Sequence, residues 1–376
     1  MKKCKVCKNE FFKEPLLIYR NMPSISQNLP TEKSLNKDKG IKIKVYQCSG
    51  CGLIQINNKP VSYYKEVIRA SGLSKEMNEF RLKEFQEFVK KYSLKNKKII
   101  EIGCGKGEYL SLMQGLEVDV YGIEENQESV DICIKKGLKV KKGFIEKKNC
   151  KIDNSPFDAF LILSFLEHIP NINLVLRGIY NNLKEESFGI VEVPNFDMIL
   201  NKRLFSEFTR DHLYYFTKET LKTTLELNGF EVIEIKEIWY DYIISAIVRK
   251  RKLLNIEDFH NHEEKIKKDI YEYIKKFGNK KVAIWGAGHQ AFAIMSLFKL
   301  KNKIKYVIDS AKFKQDKYTP VTHIPIVSPE TLDINPVDAI IVIAAGYSNE
   351  IAEIIKQKYN NKMNIAILKD YGLEIY

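Results

Sequence analysis

The spacing of apolar and polar residues predicts helices and strands that alternate over most of the chain. Apolar residues recur at helical spacing in "KEMNEFRLKEFQEFVKKYSL" (75–94), whereas short apolar runs such as "FDAFLILSF" (157–165) and "FGIVEVP" (188–194) are typical of buried strands. Strands that alternate with helices favour parallel sheets covered on both faces. The pattern therefore predicts an α/β protein.

The same pattern divides the chain into three predicted domains. Residues 1–72 hold short strand-like runs between Pro and Asn turns, and residues 73–250 carry a first series of strands and helices. Residues 251–376 start with a charged helix and continue with the strands "KKVAIWGAG", "IKYVIDS" and "VDAIIVIAAG". Each of the last two regions is long enough to bury a core of its own.

Composition and charge narrow the class of partner. A hydrophobic content of 44% is that of a globular chain, and no apolar run approaches the ~20 residues of a membrane-spanning helix. The net charge is +13, but lysines alternate with glutamates and no basic-aromatic nucleic-acid signature is present. An anionic small substrate, such as a nucleotide diphosphate, accounts for the excess charge. We therefore expect a cytoplasmic protein without a membrane or nucleic-acid partner.

Four of the seven cysteines form two C-x-x-C pairs, Cys4 with Cys7 and Cys48 with Cys51. Thiolates from two tight turns can close a tetrahedron around Zn²⁺, and a site with four protein ligands is structural rather than catalytic. The 40 residues between the pairs imply a small zinc lobe rather than a simple loop. Four reduced thiols or a redox pair are the alternatives.

A glycine-rich loop follows the first strand of the second region, in "IIEIGCGKGEYL". Glycines let the backbone turn sharply and approach a ligand closely, and the next helix offers its N-terminus. About twenty residues later the second strand ends in Glu124, which is placed to accept hydrogen bonds from ribose hydroxyls. A glycine turn that only joins strand to helix is the alternative.

This combination resembles the class I S-adenosylmethionine-dependent methyltransferases. The resemblance rests on the acid-preceded glycine loop, on the acid at the second strand and on "FDAFLILSFLEHIPN". It implies that Ser164 to Leu166 line the cofactor pocket and that His168 is either a structural histidine or an acid/base group. The cofactor-binding residues that it implies are Glu101, Gly103, Gly105, Gly107, Glu124, Ser164 and Phe165.

A second glycine loop, "VAIWGAGHQA", carries Gly286, Gly288 and Ala291 in dinucleotide-binding spacing, with Asp309 about twenty residues later. The run from Lys314 to Ile326 and the cysteine pairs followed by "GLIQ", however, make the whole chain similar to the zinc-containing sugar C-methyltransferases of deoxysugar biosynthesis. That resemblance implies a C-terminal Rossmann-like domain that helps to hold a nucleotide sugar without using a nicotinamide.

The stretch "FTRDHLYYFT" (208–217) supplies the candidate catalytic residues. Carbon methylation next to a ketone requires a base and a donor for the enolate oxygen, and a histidine held by a carboxylate is a suitable base near neutral pH. We therefore predict His212 as base, Asp211 as its carboxylate and Tyr214, or else Tyr215, as donor. A histidine packed at the edge of the core is the alternative for His212.

The sequence leaves three functions open. In the sugar C-methyltransferases the stretch reads Tyr-x-Glu-His, whereas this chain has Thr209 at the tyrosine position and Asp211 at the glutamate position. Methylation of a sugar carbon is the first hypothesis. The second is O- or N-methylation of a related polar metabolite, which needs only one base. The third is a non-catalytic binding protein, against which the intact glycine loop and Glu124 argue.

Overall fold

The computed structural model describes residues 3–27, 29–65, 74–359 and 362–376. The chain forms two compact units, Met1–Lys252 and Leu253–Tyr376. The predicted boundary between residues 72 and 73 lies outside the described residues. The N-terminal lobe belongs to the same compact unit as the first α/β sheet.

The elements of the first unit agree with the hydrophobic pattern. Its strands are β1 (Leu17–Met22), β2 (Ile41–Gln47), β3 (Ile54–Ile56), β4 (Lys98–Ile102), β5 (Asp119–Glu124), β6 (Lys139–Lys142), β7 (Phe157–Leu163), β8 (Leu183–Pro194), β9 (Tyr214–Tyr215), β10 (Phe230–Ile238) and β11 (Ile243–Lys250). Its α-helices are α1 (Lys75–Lys91), α2 (Glu108–Gln114), α3 (Gln127–Lys135), α4 (Ile172–Tyr180), α5 (Phe196–Asn201) and α6 (Lys218–Leu227). Short 3-10 helices span Glu32–Lys37, Leu166–His168 and Phe205–Glu207.

The main sheet of this unit has the order β10-β11-β8-β7-β4-β5-β6. The strands from β8 to β6 run parallel, whereas β11 pairs antiparallel with both β8 and β10. The sheet is therefore mixed rather than wholly parallel, because β10 and β11 are joined directly as a hairpin. This is the Rossmann-like sheet of the class I methyltransferases, and the predicted fold class is confirmed. Strands β4, β5 and β7 end at one edge, where the glycine loop lies.

A smaller sheet ties the N-terminal lobe to the first α/β domain. Its order is β1-β2-β3-β9, and β9 comes from the later stretch that contains His212. In this pairing Ile54 lies opposite Tyr215 and Gln55 lies opposite Tyr214. The apolar side chains of both sheets share one core. The lobe and the candidate catalytic stretch are therefore packed as one body.

The second unit is another α/β sheet covered by helices. Its strands are β12 (Val282–Trp285), β13 (Ile304–Ile308), β14 (Lys317–Tyr318), β15 (Pro325–Val327), β16 (Ala339–Val342), β17 (Asn364–Lys369) and β18 (Gly372–Ile375), in the order β14-β15-β13-β12-β16-β17-β18. Its helices are α7 (Glu257–Phe277), α8 (His289–Leu297), α9 (Thr331–Ile334) and α10 (Ser348–Tyr359). The two edge strands are antiparallel and the five between them are parallel, and this second Rossmann-like sheet was also predicted.

Candidate active site

The first glycine loop has the backbone conformation that only glycine adopts readily. Gly103, Gly105 and Gly107 have φ values of 71°, 55° and 75°. A Cβ built on Gly103 would lie 2.9 Å from the ring of Phe165, so a larger residue would close the space between the loop and the end of β7. The preceding Glu101 is fully buried within β4. The loop is thus a cradle that a Cβ would fill, as a cofactor-binding loop requires.

Glu124 lies at the end of β5, beside the loop. One carboxylate oxygen accepts a hydrogen bond from the backbone N–H of Gly105 at 3.0 Å and the other from that of Asn126 at 2.9 Å. Burial outweighs these bonds and raises the pKa of Glu124. A small cavity lined by Gly103, Glu124, Phe144 and Phe165 opens next to the carboxylate. These residues fit the glycine-loop and ribose contacts expected for S-adenosylmethionine.

The remaining predicted cofactor residues lie at the end of β7. Ser164 is exposed, and Phe165 is buried with its ring against Phe144. Both follow β7 directly and face the glycine loop across the sheet edge, since β7 is the neighbour of β4. The seven residues predicted for the cofactor therefore lie at or just after the carboxyl ends of β4, β5 and β7, and their contact with the cofactor stays a prediction.

His212 lies against a second histidine. The rings of His212 and His168 meet edge to face, with centroids 4.7 Å apart and an interplanar angle of 78°. The Nδ1 of His168 is 3.0 Å from the carbonyl oxygen of Asp211. Because a carbonyl can only accept, Nδ1 carries the proton, and Nε2 faces the Glu167 carboxylate, 3.7 Å away. His168 is therefore a positioned member of the site.

Burial keeps this histidine pair neutral. It lowers the pKa of His168 to about 4. Burial, followed by the repulsion that a protonated His168 would exert, lowers the pKa of His212 to about 3. Burial raises the pKa of Glu167 to about 8. His212 keeps partial exposure, whereas His168 and Glu167 are buried. The site thus presents a neutral imidazole that an acceptor can reach.

Asp211 does not bond to His212 as the sequence had suggested. Its carboxylate accepts a hydrogen bond from the Tyr63 hydroxyl at 2.8 Å, and that hydroxyl accepts from the backbone N–H groups of Ser26 and Gln27. The charge of Asp211 still raises the pKa of His212, in opposition to burial.

The hydroxyls of the two candidate tyrosines already have partners. Tyr214 is buried and donates to the carbonyl of Pro170 at 3.0 Å, while Tyr215 donates to the carbonyl of Thr209 at 3.2 Å and accepts from its N–H. These three bonds hold β9 in place. The Tyr214 hydroxyl is therefore bonded within the fold, and its role as enolate donor stays a prediction.

The N-terminal lobe fixes the stretch that carries His212. Arg210 donates to the carbonyls of Ser24, Lys59 and Pro60, and the hydroxyl of Thr209 lies 2.8 Å from that of Ser26. These bonds engage all the donor nitrogens of the Arg210 guanidinium with the lobe. The lobe therefore positions the candidate catalytic stretch from outside the methyltransferase sheet.

The four paired cysteines converge in that lobe. Their sulfurs lie within 4.8 Å of one another, with Cys4 and Cys51 3.7 Å apart and Cys7 and Cys48 3.3 Å apart. A tetrahedron with Zn–S bonds of about 2.3 Å has sulfurs about 3.8 Å apart. The side-chain amide of Gln55 donates to the sulfur of Cys4, as it would to a thiolate. The cluster is compatible with zinc, which these four residues would hold in a closed, structural site.

The second glycine loop is built differently. A Cβ on Gly286 would lie 2.2 Å from the carbonyl oxygen of Ile343, so glycine is required here to pass a neighbouring strand. Asp309 accepts from the N–H groups of Ala287 and Ala311 and from the ammonium of Lys314 at 2.9 Å. The acid that would bind a ribose in a dinucleotide site is thus engaged by the chain itself.

Two members of the site, Glu167 and Tyr63, were not among the predicted site residues. Glu167 had a usable signal, since it precedes His168 at the end of a buried strand, where the side chains of an α/β site gather. Tyr63 had none, because it is 148 residues from its partner Asp211. Across the described ranges, no helix is long and apolar enough to span a membrane.

Two regions of the chain are similar to methyltransferase family models. Residues 75–235 match the model of a methyltransferase domain, and residues 249–367 match that of a C-methyltransferase C-terminal domain. The C-methyltransferase NovU of Streptomyces niveus is 23% identical over 293 residues, which are 70% of each chain. A ubiquinone biosynthesis O-methyltransferase of Glaesserella parasuis is 31% identical over 111 residues, 26% of this chain and 46% of that one.

Among solved structures, an S-adenosylmethionine-dependent methyltransferase from Clostridium acetobutylicum aligns with a TM-score of 0.39 at 15% identity, covering 50% of this chain and 96% of that one. The family matches, together with the sheet order and the glycine loop, show that this chain is an S-adenosylmethionine-dependent methyltransferase.

Proposed function

We propose that the enzyme methylates a carbon atom of a nucleotide-activated keto sugar, with His212 as the base. The observation that carries the proposal is the partly exposed, neutral His212 beside His168, at the sheet edge that also holds the glycine loop. The match of residues 249–367 to a C-methyltransferase C-terminal domain supports carbon as the acceptor atom. The resemblance to sugar C-methyltransferases supports the nucleotide sugar.

Different residues of the chain bind the cofactor and remove the substrate proton. Gly103 to Gly107 and Glu124 would hold S-adenosylmethionine, which supplies an electrophilic methyl group when bound. His212 removes the proton from the carbon beside the ketone, and the electron pair of that C–H bond becomes the nucleophile that forms the new C–C bond. Because burial lowers the pKa of His212 to about 3, the imidazole is unprotonated at neutral pH. To hold the proton that it removes, it needs a negative charge nearby, since burial disfavours the imidazolium.

Two further assignments belong to this proposal. Cys4, Cys7, Cys48 and Cys51 hold a structural Zn²⁺ that orders the lobe, and the lobe in turn holds the stretch containing His212. The second unit has the nucleotide-binding role that the resemblance to sugar C-methyltransferases implies. Support for this comes from its family match and from the pairing of Asp309 with Lys314, which disfavours a nicotinamide dinucleotide.

The test is methyl transfer from ¹³C-methyl-labelled S-adenosylmethionine to a panel of nucleoside diphosphate-linked keto sugars. A carbon-bound methyl resonance and the matching mass increase are expected. An oxygen-bound methyl group would instead favour the O-methyltransferase function of the ubiquinone-pathway relatives, and no transfer to any sugar would rule out the sugar substrate.

His212→Gln should lower kcat at least about 10²-fold and spare the affinity for S-adenosylmethionine, because removal of a general base costs that much. His260→Gln is the matched control, since His260 lies exposed on α7 of the second unit. Turnover by His212→Gln equal to that of the control would remove His212 from the mechanism.

A further inference from the structure

Glu167 is a buried carboxyl group for which the reaction above has no use. It follows β7 in the 3-10 helix Leu166–His168, and only 2% of its surface is exposed. One of its oxygens has no hydrogen-bond partner among the described residues. Buried polar atoms without partners are rare, and each calls for an explanation. Glu167 therefore has a free acceptor inside the candidate active site.

The position of Glu167 relates it to both histidines. An oxygen of Glu167 and one ring nitrogen each of His168 and His212 all lie within 4.8 Å of one another. The backbone also fixes this arrangement, because the N–H of Leu213 donates to the carbonyl of Glu167 at 2.9 Å. The residue that follows His212 is thus anchored on Glu167, so the carboxyl group and the imidazole are held together.

Asp211, the carboxylate expected from the sequence, is less suited to support the base. One of its oxygens is bound to the Tyr63 hydroxyl, and Asp211 is not a member of the close group formed by Glu167 and the two histidines. Its other oxygen is buried without a hydrogen-bond partner among the described residues, as is one oxygen of Glu167. What distinguishes the two acids is that Glu167 lies close to both histidines. A base that takes up a proton in buried surroundings needs a negative charge close by, since burial alone disfavours the imidazolium.

We propose that Glu167 is the positioning residue for the base: its ionised carboxylate pairs with the proton that His212 removes from the substrate. His168, whose Nδ1–H donates to the carbonyl of Asp211, holds the Glu167 carboxylate and the His212 imidazole in a fixed relative position. The proton passes from the substrate carbon to a ring nitrogen of His212, and the charge that forms there is offset by Glu167. This inference rests on the proposed base role of His212.

A pH dependence follows. Burial raises the pKa of Glu167 to about 8, so below that pH the carboxyl group is protonated and offers His212 no charge. As the pH rises through this value, Glu167 ionises and His212 becomes the stronger base. The other titratable groups that face Glu167 are His168, His212, Asp211 and Tyr242, and the pKa values of both histidines are too low for them to titrate in this range.

The test compares kcat and KM from pH 6 to 9.5 in the wild type, in Glu167→Gln and in Glu167→Asp. The wild type should show a rise in kcat with a midpoint near pH 8. Glu167→Gln should lose this rise and fall about 10²-fold in kcat at pH 9 with KM changed less than about 3-fold, as removal of the partner of a general base does. Glu167→Asp should restore part of the rise. Asp211→Asn should keep the rise in kcat with pH, although its kcat is lower than that of the wild type.

A measurement that needs no substrate separates this inference from the proposed function. In protein with ¹⁵N-labelled histidine, the His168 and His212 resonances should shift as Glu167 titrates, and these shifts should be absent from folded Glu167→Gln, whose fold is checked by its melting curve. Wild-type kcat and pH profile in Glu167→Gln would overturn the inference, as would histidine resonances that do not change between the two proteins. Mn²⁺ that binds to the wild type and broadens both resonances would also overturn it, because it would make the three residues a cation site.

Discussion

The two units contain the same local pattern, but the acid in each pattern has different charged partners. In each, a buried strand enters a glycine loop, a helix follows, and an acid stands at the end of the neighbouring strand: Glu124 in the first unit and Asp309 in the second. Both acids accept hydrogen bonds from the backbone of their own glycine loop. In the described part of the chain no lysine or arginine pairs with Glu124, whereas Lys314 pairs with Asp309.

The pKa values of the two acids move in opposite directions as a result. Burial raises the pKa of Glu124, while for Asp309 the effect of burial is exceeded by the bonds from Lys314, Ala311 and Ala287, and the pKa is lowered. A carboxylate that is buried without a cation costs stability, and such a cost is typical of a site kept for a ligand. A carboxylate paired within its own chain stabilises the fold instead. The pattern alone does not separate a binding loop from a structural one, but the partner of the acid does.

The largest effect should come from filling the first loop. Gly103→Ala places a Cβ 2.9 Å from the Phe165 ring at a φ of 71°, so we expect the affinity for S-adenosylmethionine to fall at least about 100-fold, equivalent to roughly 3 kcal/mol. Isothermal titration calorimetry measures it. Gly288→Ala is the matched control, because a Cβ there meets no atom within 4 Å. Equal affinities in the two variants would show that the first loop is no cofactor cradle.

Replacement of each acid by its amide should have a smaller effect on the affinity for S-adenosylmethionine. Glu124→Gln removes a charge at the sheet edge and one of the two acceptors for the N–H groups of Gly105 and Asn126, and hydrogen bonds to charged groups contribute about 1.5–3 kcal/mol. The Kd for S-adenosylmethionine should therefore rise about 10-fold to 100-fold. Asp309→Asn, the corresponding change in the other unit, should leave this Kd unchanged. A rise of similar size in both variants would mean that the two loops do not differ in function.

Much of the fold could be predicted from the sequence because its signals are local. The apolar spacing of 75–94 predicted α1, which ends at Lys91, and the run 157–165 predicted β7, which ends at Leu163. Both depend on contacts that repeat within a few residues. Strand β9 has only two residues and exists because β3 lies next to it, so no local pattern could indicate it.

The cofactor side of the site was more predictable than the acceptor side. The glycine loop and Glu124 belong to consecutive elements of one motif, and parallel strands bring their ends together. The acceptor side is assembled from β7, the N-terminal lobe and the stretch before β9. The sequence placed Asp211 beside His212 because they are neighbours in the chain. In the structure Asp211 bonds to Tyr63, and Glu167 lies with the histidines.

The smallest effect should be on the stability of the second unit. Because the pKa of Asp309 is lowered from its ordinary 3.8, the carboxylate stabilises the fold above that pH, and this contribution is lost as the pH falls through the folded-state pKa. Asp309→Asn should lower the free energy of unfolding by about 1 kcal/mol at pH 7, which is a decrease in Tm of about 4 °C. The difference from the wild type should shrink below pH 3.8.

Trp285, buried beside this loop, reports the transition by fluorescence once Trp239 of the first unit is replaced by Phe. Glu124→Gln should show no such acid-dependent loss, because its pKa is shifted the other way. If Asp309→Asn melts like the wild type at pH 7, the ion pair with Lys314 does not stabilise the loop. The two acids would then differ only in their hydrogen bonds with the backbone.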